Sequence, residues 1–192
     1  MSVADASGTE GRRSPSPTLQ QRLLKLLSLY NYHLKKNPVV TKSVTNALLT
    51  GLGNFAAQKI RGPTVQWRSV AAFSTFGLVF SGPLFHHFYL QLNKAFPPKS
   101  QQAVVKKIFV DRVVFGPPFF VLFFYVIALL EGRGFAAAWQ SVKDLLWPAL
   151  KMSWKVWTVV QAINLKYVPV EYQVLFTSLV SFLWTIYVAL LR

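Results

Sequence analysis

Cysteine is absent from this 192-residue chain, so no disulfide, thiolate metal site or cysteine nucleophile can belong to it. Thiol chemistry therefore does not fix its compartment. Acids are also scarce: six Asp and Glu stand against 21 Lys and Arg, and only Asp111, Glu131, Asp144 and Glu171 lie beyond the first ten residues. Three histidines and four scattered acids supply no nucleophile with a base and no spacing such as H-E-x-x-H. Neither an enzyme nor a cofactor or metal site is expected. Charge of either sign reaches only 14%, while apolar residues make up 53% and aromatics 15%, a composition unlike a soluble globule. The formal net charge of +15 would suit nucleic acid if the basic residues shared a soluble face. They sit instead between apolar runs, which suits anionic lipid headgroups and argues against a nucleic-acid partner.

What the chain does have is long oily runs. Val113 to Leu130 passes eighteen residues without a charge, and as a helix it rises ~27 Å, close to the hydrocarbon thickness of a bilayer. Gly116, Pro117 and Pro118 predict a kink in it rather than a break, because neighbouring helices in a bundle can satisfy the freed carbonyls. Ser69 to Asn93 is a second uncharged stretch, with Gly82-Pro83 midway, and Tyr172 to Leu191 is a third. Trp67 stands where an interfacial anchor belongs. A weaker span runs from Pro38, capped by Asn37, to Ile60, before Gly62-Pro63. Its hydropathy is lowered by Lys42, Asn46, Thr50, Asn54 and Gln58, a stripe at spacing four beside a small-residue ridge of Ser43, Ala47 and Gly51. The stripe serves either interhelical hydrogen bonding or a water-lined path. Gly51, Gly53 and Ala56 spell a dinucleotide-type glycine motif, but neither the strand nor the acidic residue it requires is present.

Residues 1–18, rich in Ser, Pro, Gly and charge, are predicted to be a disordered tail, and 19–192 a single membrane domain. Arg12 and Arg13 suit a mitochondrial presequence, whereas Asp5 and Glu10 do not. Leu19, Leu23, Leu26, Leu27, Tyr30 and Leu34 form one helical face, for a helix lying on the membrane surface or packed on the bundle. His86 and Tyr89 share a face beyond the Gly-Pro kink, and His86 is either a pore-facing group or bonded to a carbonyl freed by Pro83. Asp111 is expected to pair with a Lys or Arg on a neighbouring helix, since an unpaired carboxylate at that depth costs several kcal/mol. Phe135 to Trp147 reads as a separate amphipathic surface helix. Pro148 then begins a polar segment with Lys151 and Lys155 on one face and Trp157, Gln161 and Asn164 on another, its tryptophans at headgroup level. Residues 148–165 are left open as a further crossing. Thr177, Ser181 and Thr185 stack at spacing four in the last span.

These segments resemble the peroxisomal membrane protein 2 family, which also has inner-mitochondrial-membrane members. The likeness covers Tyr30 to Leu191. It rests on Tyr30 and Leu34 before Pro38, Thr41 and Lys42; on Gly82-Pro83 with His86 and Tyr89; on Asp111-Arg112 before the Pro pair; and on Trp147-Pro148 through Asn164 to Val168-Pro169. Gln173 and Leu165 depart from the family pattern, which bears on a lipid or gating contact there and not on the fold. The resemblance implies an all-α, four-span transmembrane helical bundle with further amphipathic or partly embedded helices. It implies a homo-oligomer, a trimer, in the peroxisomal membrane, with both termini cytosolic; the mitochondrial inner membrane is the alternative. It also implies a channel passing small water-soluble metabolites with little selectivity. Seven Lys or Arg between Arg12 and Lys42 favour a cytosolic N-terminal side. The pore-lining candidates are Asn46, Thr50, Asn54, Gln58, His86, Asp111, Arg112, Lys151, Lys155, Gln161, Asn164, Thr177, Ser181 and Thr185. The competing expectation is a non-conducting scaffold whose polar positions only hold helices together.

Overall fold

A computed structural model describes residues 18–96, 101–167 and 173–191, which are helical apart from short connections, with no strand among the described residues. Residues 1–17 of the predicted tail and the Val168-Pro169 pair lie outside them, as do the side chains of Gln161, Asn164 and Thr177. Among the described residues six helices follow in order: α1 Leu19–Lys36, α2 Pro38–Arg61, α3 at 67–95, α4 at 101–130, α5 Phe135–Tyr167 and α6 Gln173–Leu190. The fold is an all-α membrane bundle. By length and composition, Trp67–Leu92 and Val105–Leu130 can each cross a bilayer. The four spans read from the sequence fall on α2, α3, α4 and α6.

Local chemistry sets most of these boundaries. Thr18 and Gln21 form a reciprocal capping box at the start of α1, no residue of which is buried. Pro38 opens α2 at its first turn, although the Asn37 side chain makes no cap and Thr41 Oγ1 donates instead to the Asn37 carbonyl (2.9 Å). The kinks expected at the two Gly-Pro sites take one common form. A π turn, Gly77–Ser81, precedes Gly82-Pro83 inside α3, and another, Val110–Phe115, precedes Gly116-Pro117 inside α4. In each, the glycine N–H reaches back five residues, to the Gly77 and Asp111 carbonyls. Proline has no N–H to give, and the wider turn lets the helix continue past it.

Packing then overrides one boundary. Pro148 does not begin a helix: α5 runs unbroken through it, joining the expected surface helix to the polar segment that follows. An interior proline costs ~3 kcal/mol. Here Ala149 and Leu150, immediately after it, are buried against the bundle, and α5 follows α4 along its length. Tyr125 meets Trp139 before the proline, and Trp154 Nε1 donates to the Arg112 carbonyl (3.0 Å) after it. Residues 148–165 are thus the second half of a helix antiparallel to α4.

Lipid supplies no hydrophobic drive between helices, so close approach and interhelical hydrogen bonds hold the bundle together. The ridge on α2 provides both. A Cβ on Gly77 would stand 2.7 Å from the Asn46 carbonyl oxygen and 2.8 Å from the Ala47 nitrogen; Gly82 lies as tightly on Ser43, and Gly51 on Ser74. Thr50 Oγ1 donates to the Phe73 carbonyl (2.9 Å), just ahead of the π turn. On its other side α2 meets α6, Gly53 against Thr185, and Arg61 donates to the Leu190 carbonyl. Those pairs advance together, so α2 and α6 run parallel, and α2 through α6 alternate in direction. The start of α2 and the end of α6 therefore lie at opposite ends of the bundle.

Candidate functional site

The five alternating helices line a half-open cavity of about 460 Å³. Asn46 and Thr50 reach it from α2, Ser81, Phe85 and Tyr89 from α3, Ser153, Trp154 and Trp157 from α5, and Ser181, Trp184 and Thr185 from α6. Helix α4 contributes its charged residues, Asp111 and Arg112, and an aromatic wall of Phe115, Phe119, Phe120 and Phe123. The buried Asp111 pairs with its chain neighbour Arg112 (3.0 Å) and accepts from Tyr89 Oη (3.2 Å). This corrects the expected partner on another helix. Both residues lie in the π turn, where successive side chains diverge less than in an α-helix, so adjacent positions can meet. The Arg112 guanidinium also lies 5.5 Å from the centre of the Trp157 ring, a cation–π contact.

A second recess, about 290 Å³ and polar, opens at the end where α2 finishes. Gln58 Nε2 donates to Asn54 Oδ1 (2.7 Å), Asn54 Nδ2 to Ser69 Oγ (3.2 Å), and Ser69 Oγ to Glu131 Oε1 (2.7 Å). Arg133 closes the chain of contacts on Glu131 (3.1 Å), and the Gln66 N–H caps Gln58 Oε1 (2.6 Å). Between the recess and the cavity stand Phe73, Phe76, Phe124 and Ile127, all without measurable exposure. Phe123 meets Phe76 (5.0 Å, 90°) and Phe73 (5.5 Å, 87°) edge to face, so this wall is closely packed.

Comparison with known proteins places the chain. A model described as Mpv17 / PMP22 family matches residues 128–189. Peroxisomal membrane protein 2 of Bos taurus is 39% identical over 173 residues, 86% of this chain and 88% of that protein. The chain belongs to the Mpv17 / PMP22 family. PXMP2/4 family protein 3 of Dictyostelium discoideum is 37% identical over 84% of this chain and 88% of its own length. Peroxisomal membrane protein PMP22 of Arabidopsis thaliana is 31% identical over 94% of this chain and 93% of its own. No solved structure matches. The segment matched by the Mpv17 / PMP22 model carries the α5 and α6 residues of the cavity, from Leu150 to Val188.

Within this family member the predicted lining separates into groups. Asn46, Thr50, Asp111, Arg112, Ser181 and Thr185 line the cavity, and Asn54 and Gln58 line the end recess. His86 does neither: its buried Nδ1 has no partner among the described residues, so the bond expected to a carbonyl freed by Pro83 is not made. Lys151 and Lys155 are exposed on the outside of α5, because the same helix turns Ser153, Trp154 and Trp157 inward. Gln161, Asn164 and Thr177 lie on helices whose side chains there are outside the described set. Trp154, Trp157 and Trp184 face the cavity. The phenylalanine wall was missed as part of an oily run, although spacing four for Phe115, Phe119 and Phe123 puts them on one face.

Proposed function

We propose that this protein forms a passage for small water-soluble solutes in the peroxisomal membrane. The supporting observation is the cavity within a membrane bundle, to which all of α2 through α6 bring polar side chains and α4 an ion pair. The organelle follows from relatives whose names are peroxisomal membrane protein 2 and peroxisomal membrane protein PMP22. In this reading solutes enter the cavity from one side and the recess from the other, and the aromatic wall of Phe73, Phe76 and Phe124 limits their exchange. A trimer belongs to the same proposal; the expected placing of both chain ends in the cytosol does not, because α2 begins and α6 ends at opposite ends of the bundle.

A specific observation favours a second reading, a non-conducting scaffold. Asn54, Gln58 and Thr50 all spend their hydrogen bonds on protein partners, as interhelical glue would. Purified protein in a planar bilayer separates the two. A passage gives discrete conductance steps that Asn46→Leu lowers while the thermal midpoint in detergent stays near that of the wild type. Bilayers that stay silent across preparations of folded protein refute the passage.

A further inference from the structure

Helix α5 turns a polar face away from the bundle. Gln140, Asp144, Lys151, Lys155 and Thr158, with Trp147 among them, are all exposed. At 3.6 residues per turn they fall within an arc of about 80° and extend for about 27 Å along the helix, close to the thickness of the hydrocarbon layer. Ala138, Val142, Ala149 and Ser153, on the other side, are buried. The stripe is therefore the outer side of α5 over most of its length.

Depth is what makes lipid a poor neighbour for it. Tyr125 meets Trp139, and Trp154 Nε1 donates to the Arg112 carbonyl, so between those contacts α5 residues 140–153 stand beside α4 residues 113–124. That part of α4 belongs to the uncharged run Val113 to Leu130, the length of one bilayer crossing. Asp144 and Lys151 are thus carried at the depth of the acyl chains. Lysine can snorkel along its stem toward the headgroups, but an aspartate is too short to follow. Ionisable groups at such depth face protein or water, because facing lipid is costly.

Nothing within the chain meets the need. Asp144 accepts from Gln140 Nε2 (2.8 Å) and has no cation, and Lys151 and Lys155 have no acid, for the ion pairs among the described residues are Asp111–Arg112 and Glu131–Arg133. The stripe carries both signs unpaired, so a second copy of the same face brings the sign that each lacks. Lys151 lies ~10 Å along the helix from Asp144, and a helical side chain leans toward the N-terminus, so on a facing copy the ammonium reaches back toward the Asp144 level. Water bridges what distance remains.

We propose that the outer face of α5 is an interface between copies of this chain, and that the copies enclose a hydrated seam along Gln140, Asp144, Lys151, Lys155 and Thr158. It gives the trimer proposed above its contact face and rests on that reading only for there being more than one copy. It does not depend on conduction through the cavity.

The chain has no cysteine to remove, so single cysteines report directly. The full-length protein carrying Asp144→Cys, Lys151→Cys or Lys155→Cys is reconstituted in phosphatidylcholine vesicles and treated with a charged methanethiosulfonate. Leu48→Cys, exposed in the middle of α2, is the lipid-facing control. All four positions are exposed, so the variants leave the packed core untouched. The stripe cysteines are expected to react at least about tenfold faster than Leu48→Cys, because only a hydrated thiol ionises to the reactive thiolate. A short bis-maleimide is expected to join two copies through Lys151→Cys and none through Leu48→Cys. Labelling of Lys151→Cys as slow as that of Leu48→Cys would show the stripe turned to lipid, and rapid labelling without cross-linked copies would show water there and no second copy; either overturns the proposal. Should either appear beside a trimer in light scattering, the contact lies on another face and the trimer stands. Single copies would refute the trimer as well.

Discussion

Replacing Gly77 by alanine tests the claim that the α2–α3 contact is set by backbone rather than by side chains able to yield. The added methyl carbon would stand 2.7 Å from the Asn46 carbonyl oxygen, 2.8 Å from the Ala47 nitrogen and 2.5 Å from Thr50 Oγ1. The first of these is about 0.7 Å inside the 3.4 Å at which ordinary contact begins. Two of the three atoms are backbone, so relief requires the helices to part. Parting them stretches the Thr50 Oγ1 bond to the Phe73 carbonyl (2.9 Å) and loosens Gly82 on Ser43. Overpacking of this kind costs ~1–3 kcal/mol and a weakened hydrogen bond ~1 more. A loss of about 3 kcal/mol lowers the thermal midpoint by roughly 6–12 °C in a chain of this size. Gly62→Ala is the matched control, because Gly62 is extended (φ 172°) with nothing within 4 Å of its added carbon. It should stay within ~0.5 kcal/mol of the wild type. Unfolding in detergent, followed by circular dichroism, provides the comparison. Equal midpoints for the two variants would show that α2 and α3 do not touch through backbone at Gly77.

Asp111→Asn leaves the Arg112 guanidinium buried without its counter-charge and should cost about 3–5 kcal/mol, with Asp111→Asn/Arg112→Gln recovering part of it; a double variant worse than the single would refute the pairing. Asn54→Leu removes a buried group bonded to Ser69 and Gln58 and should cost about 1–3 kcal/mol, so a wild-type midpoint would show that the network at the end recess is not structural. The absence of cysteine makes a sidedness test direct: single cysteines at Gly62 and Leu191 should label from one side of a sealed vesicle and one at Asn37 from the other. Labelling of all three from the same side would contradict the alternating run of α2 to α6.

The features legible in the sequence were those decided by a few neighbouring residues. Asn37-Pro38 and Gly62 marked α2 to within a residue, the Ser43–Ala47–Gly51 ridge marked the face that meets α3, and the Gly-Pro sites marked the irregular turns. The features that escaped depend on what lies across the bundle. Whether Pro148 ends a helix depends on α4 covering Ala149 and Leu150, and whether Phe119 meets lipid or a cavity depends on which helix stands opposite. The stripe at spacing four was a correct register with a divided fate. Over five positions it drifts around the helix while climbing it, so Asn46 and Thr50 arrive at the cavity and Asn54 and Gln58 at the recess.

The two hollows at opposite ends make the molecule chemically lopsided. A solute approaching from the side where α2 starts encounters indoles, a phenol and an ion pair; from the far side it meets carboxamides, a serine and a glutamate already claimed by an arginine. If the protein is the passage proposed above, the two compartments would present their contents to unlike thresholds, and selection at one doorway would be chemically independent of selection at the other.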